Sequence, residues 1–61
     1  MATHDELLFL VRNRYPVLDS AKQTRVAVAA MAVLAEPHWK KFGITPLTAV
    51  KIAAHRVKRS V

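Results

Sequence analysis

The stretch Val26–Ala35, VAVAAMAVLA, runs ten residues without one charged side chain or one turn residue. That run constrains the fold more than anything else in the chain. Its alanines favour a helix, and although the valines argue mildly for a strand, nothing interrupts the run. As a helix it has no polar face. Val26, Ala29 and Val33 fall on one side, and Val28, Met31 and Ala35 on the other. A helix that is apolar all round must be covered on all sides. At about 1.5 Å per residue it reaches about 15 Å, half the thickness of a hydrocarbon core. Lengthening it to a span would draw in Lys22, Arg25, Glu36 and Lys40. The run therefore reads as a buried core helix or an association surface, with no membrane span, and a cytoplasmic location follows by default.

Length makes the demand sharper. A chain of 61 residues buries only about 60% of its unfolded surface. With no cysteine, neither a disulfide nor a cysteine-based zinc site can add stability. Two short partner helices cannot easily surround the run, so a homo-oligomer formed through the apolar helix 20–36 is expected.

The rest of the chain also reads as helix, within a single small domain, 1–61. Thr3 and Glu6 have the capping-box spacing and open a first helix over 4–14. Asp5 and Glu6 suit the positive end of its dipole, and Tyr15 before Pro16 ends it. Asp19 or Ser20 opens the second helix, 20–36, with Ser20 and Gln23 repeating the capping-box spacing. Pro37 ends that helix and can start a short helical turn near 37–42, where Trp39 and Phe42, at i and i+3, read as core ahead of stacking on exposed bases beside Lys40 and Lys41. Gly43, the one glycine, stands where a helix stops in a left-handed residue, followed by an apolar Ile44. Thr45 then caps and Pro46 takes the first position of a helix over 46–58. Its apolar stripe is Leu47, Val50, Ala54, Val57 and Val61, bordered by Ala53. The fold class is all-α: a small bundle of three main helices and one short turn.

Charge divides the chain in two. Through Glu36 the four acids, Asp5, Glu6, Asp19 and Glu36, cancel Arg12, Arg14, Lys22 and Arg25. No acid follows Glu36. The whole net charge of +6 therefore belongs to the basic part, 37–61, in Lys40, Lys41, Lys51, Arg56, Lys58 and Arg59. A one-sided field of this kind favours a polyanion or an acidic protein surface over a neutral partner.

Gly43 to Arg56, GITPLTAVKIAAHR, resembles the turn and second helix of a helix-turn-helix. The resemblance implies packing by Phe42, Ile44, Ala49 and Ile52. It implies that Thr45, Leu47, Thr48, Lys51 and His55 face bases or phosphates. The residue four before the glycine, normally small, is Trp39.

Other chemistry is poorly provided for. His4, His38 and His55 are far apart in sequence and lack accompanying acids, so no metal site is expected. Ser20 and Ser60 read as a cap and a tail residue, not nucleophiles. One glycine cannot make a phosphate loop. No enzyme and no cofactor are expected. Membrane-surface binding by the last helix is disfavoured, because its apolar face lacks aromatic anchors.

The sequence thus predicts a small basic protein that binds nucleic acid, DNA ahead of RNA, by electrostatic contacts of its C-terminal helix. The residues expected to carry this are Lys40, Lys41, Thr45, Thr48, Lys51, His55, Arg56, Lys58 and Arg59. Two further readings belong to other classes. One is a small interaction module or inhibitor, of the kind phages encode, docking on a larger acidic protein. The other is a structural subunit of an assembly that holds nucleic acid.

Overall fold

A computed structural model describes residues 3–59 and carries four helices in chain order: α1 (His4–Arg14), α2 (Ser20–Ala35), α3 (Pro37–Phe42) and α4 (Pro46–Arg59). The class is all-α. Among the described residues no helix is long and apolar enough to cross a membrane.

Each boundary has a local cause. The Thr3 hydroxyl accepts the Glu6 amide at 3.2 Å and caps α1. At the far end the Tyr15 amide closes on the Val11 carbonyl, and Tyr15–Leu18 turns with Pro16 in its second position. Asp19, not Ser20, caps α2, its Oδ1 accepting the Lys22 amide at 2.8 Å. Gln23 does not complete a capping box there. It is buried, and its side-chain amide donates to the Tyr15 carbonyl at 3.3 Å, tying the end of α1 to α2. Glu36 is extended ahead of Pro37, as a residue before proline prefers, which separates α2 from α3.

Gly43 ends α3 with φ 61° and ψ 44°. No atom lies within 4 Å of where a Cβ would stand, so only backbone preference matters there. Gly43→Ala should therefore lower stability by about 1 kcal/mol, read as a shifted urea midpoint, with Gly43→Asn losing less.

The core is built from Leu7 and Val11 of α1, Val26, Ala27, Ala30 and Val33 of α2, and Ala49, Val50 and Ala53 of α4. Alanines on both α2 and α4 are fully buried, which lets these two backbones approach closely. On α4 the fully buried positions are Ala49, Val50 and Ala53. The predicted stripe through Leu47 is corrected accordingly: Leu47 remains 39% exposed while Ala49 is fully buried. Val50 lies in the core, Ala54 and Val57 pack against it, and Val61 lies outside the described residues.

The other correction concerns α3. Six residues give it less than two turns, enough to bring Trp39 against the core but not Phe42, which is 64% exposed. His38 meets both rings edge-on, at 4.8 and 5.2 Å. Of the four packing positions that the helix-turn-helix resemblance implies, Ala49 is buried, Ile44 and Ile52 are half-buried, and Phe42 is out. The fold therefore does not establish that resemblance. The far side of α2 remains uncovered in the single chain, with Val28 and Met31 both exposed.

Candidate nucleic-acid interface

The position of α4 begins with Thr45. Its hydroxyl accepts the Thr48 amide at 3.2 Å, and the two threonine hydroxyls bond to each other at 2.9 Å. Both predicted contact residues thus spend much of their hydrogen-bonding capacity on starting the helix, and Thr48 is half-buried. One turn further on, Lys51, His55 and Lys58 follow at i, i+4 and i+7. That spacing aligns them on one face of a helix, and all three are exposed.

Across from that face stands Lys22, held in the first turn of α2 by the Asp19 cap. Lys22, Lys51, His55 and Lys58 surround a cleft of about 680 Å³ whose other lining residues are Tyr15, Leu18, Val26, Ala54 and Val57. No carboxylate lines it among the described residues. Asp19, the nearest acid in sequence to Lys22, directs an oxygen to the backbone amide. The cleft therefore has an apolar floor and a cationic rim.

Among the described side chains, the remaining predicted cations do not join this cleft. Arg56 lies on another face of α4, where its guanidinium makes a two-pronged pair with Glu36, at 2.5 and 3.1 Å. The last acid in the sequence is thus returned, twenty residues later, to one of the bases that seemed to stand alone. Hydrogen bonding from Arg56 holds the Glu36 carboxyl below its ordinary range, outweighing the upward push of partial desolvation, and the Arg56 and His38 fields act in the same sense. The same hydrogen bonding raises Arg56. A carboxyl lowered in this way stabilises the fold above its unfolded value of about 4.3, and that contribution fades as pH falls through the lower folded value. The pair is intact at neutral pH.

Lys40 and Lys41 occupy the last turn of α3 and are exposed. The Arg59 side chain lies outside what is described. Among the described residues no three His, Asp or Glu side chains gather as metal ligands.

Lys22 is the cation that a count along the chain misses, because there it cancels against a nearby acid. The one available signal was the Asp19 cap, which places Lys22 in the first turn of α2 but says nothing about what packs beside it.

No protein-family model matches the chain, and no match is found among curated proteins or solved structures.

Proposed function

We propose that this chain binds nucleic acid, duplex DNA ahead of RNA, through Lys22, Lys51 and Lys58, with His55 between them. The observation behind this reading is the convergence of cations from two helices on one exposed rim that carries no carboxylate among the described residues. Lys40 and Lys41, exposed in the last turn of α3, add further positive charge. Binding of this kind is to phosphates and positions the protein without reading bases. Each neutralised phosphate releases condensed counterions, so affinity falls as salt rises.

Titrating a labelled DNA duplex by fluorescence anisotropy across a salt series tests the reading. A plot of log K against log salt should slope downward by about 0.9 for each phosphate contact. No binding at about 50 mM salt, where such contacts are strong, overturns it.

The Glu36–Arg56 pair supplies a second expectation. Arg56 is already engaged, so Arg56→Ala should flatten the salt slope less than Lys51→Ala does. Glu36→Gln removes the competing carboxylate and should tighten binding. Equal flattening by Arg56→Ala and Lys51→Ala would show that the pair does not withhold Arg56.

The second reading, a module docking on an acidic protein, draws on the uncovered Val28 and Met31 of α2. Stoichiometric recovery of one acidic partner that survives nuclease treatment would favour it.

A further inference from the structure

The surface carries two depressions of opposite charge. One is the lysine-rimmed cleft beyond the end of α1 and along the later turns of α4. The other is a shallower depression lined by Asp5, Glu6, Phe9, Leu10 and Pro46. Phe9 is 66% exposed there, an aromatic ring standing in solvent one helical turn from two carboxylates. At the rim of that depression the second turn of α1 thus presents Phe9 as an apolar knob, with the carboxylates of the first turn as its acidic collar, and the cleft is an apolar floor with a basic collar. They lie toward opposite ends of the same two helices. Along α1, Asp5 and Tyr15 are about 15 Å apart at the usual helical rise.

We propose that these surfaces are partners: Phe9 of one copy, flanked by Asp5 and Glu6, seats in the Lys22–Lys51–Lys58 cleft of the next. A second copy is the occupant that the charges specify, since this chain presents both the acidic apolar knob and the basic apolar socket. The contact is head-to-tail, which leaves one free knob and one free socket at the ends of every chain of copies, so assembly grows unless it closes into a ring. The two surfaces are small, which places the interface below the standard size and the affinity in the weak range. Each copy carries a net +6. Physiological salt, with a Debye length of about 8 Å, screens that overall repulsion more than it weakens pairs in direct contact. The proposal does not rest on nucleic-acid binding, although the two uses would compete for the same lysines.

The test uses nuclease-treated full chain at about 1 mM, where weak interfaces populate, in about 0.15 M salt. Light scattering should show a mass that rises with concentration and passes beyond two copies. Phe9→Ser keeps the socket and loses the knob. Lys51→Glu with Lys58→Glu keeps the knob and loses the socket. Each variant should associate at least tenfold more weakly than wild type. An equal mixture of the two should recover one-to-one pairs, because a single intact interface remains between them. All the substituted side chains are exposed, and circular dichroism verifies retained helix. Independently, amide shifts in wild type should move with concentration at Phe9 and at Ala54 and Val57. A mass that does not change with concentration overturns the proposal. So does a mixture that fails to pair, or association and shifts that follow Val28 and Met31 instead.

Discussion

Replacing Lys22, Lys51 and Lys58 together by glutamate should abolish measurable nucleic-acid binding near physiological salt. Each phosphate contact contributes about 0.9 of a decade at 0.1 M salt relative to 1 M. Three lost contacts therefore lower affinity by about 10²–10³-fold, before counting repulsion from the new carboxylates. The fold should tolerate the change, since all three side chains are exposed. A glutamate at position 22 even suits the positive end of α2. Lys22→Glu alone is the informative member. Linear charge counting assigns Lys22 no role, so its loss should matter only because α2 and α4 bring it to the same rim. Anisotropy with a labelled duplex reads the effect, and circular dichroism verifies the helix content. An unchanged affinity for the triple variant would remove the cleft rim from the interface and leave Lys40, Lys41, Arg56 and Arg59 as the remaining predicted cations.

Leu7→Ala should be the most damaging single truncation. Leu7 is fully buried and is the largest of the core's apolar side chains, the others being valines and alanines. Truncating a buried leucine costs about 2–5 kcal/mol, depending on how far the site collapses. A chain of this length has only about 3–9 kcal/mol in total. The expected result is a drop of about 15–40 °C in midpoint, or a chain largely unfolded at 37 °C. Val28→Ala, on the exposed side of α2, is the control and should shift the midpoint by only a few degrees. A drop for Leu7→Ala no larger than that of the control would mean that α1 contributes little to the core.

The helices were legible because their signals are local. Thr3, Asp19 and Thr45 cap through bonds spanning three residues, Gly43 adopts the conformation that glycine alone takes easily, and Pro37 and Pro46 begin helices where their missing N–H does no harm. Which face of a helix turns inward was less legible. Leu47 and Phe42 looked like core by size and spacing, yet Leu47 is only partly covered and the shortness of α3 left Phe42 outside. Size predicts how much a side chain gains from burial, but the approach of two backbones decides which side chains can collect it.

The charge pattern divides in the same way. By itself the sequence determined that this chain is helical and that its excess charge is positive, because capping, helix preference and ionisation are properties of residues and their immediate neighbours. Only the tertiary structure decided where that charge acts. It returned Glu36 to Arg56 across twenty residues and brought Lys22 from the neutral half to face Lys51 and Lys58. Coulomb interactions depend on distance through space, and that distance exists only once α2 and α4 have packed.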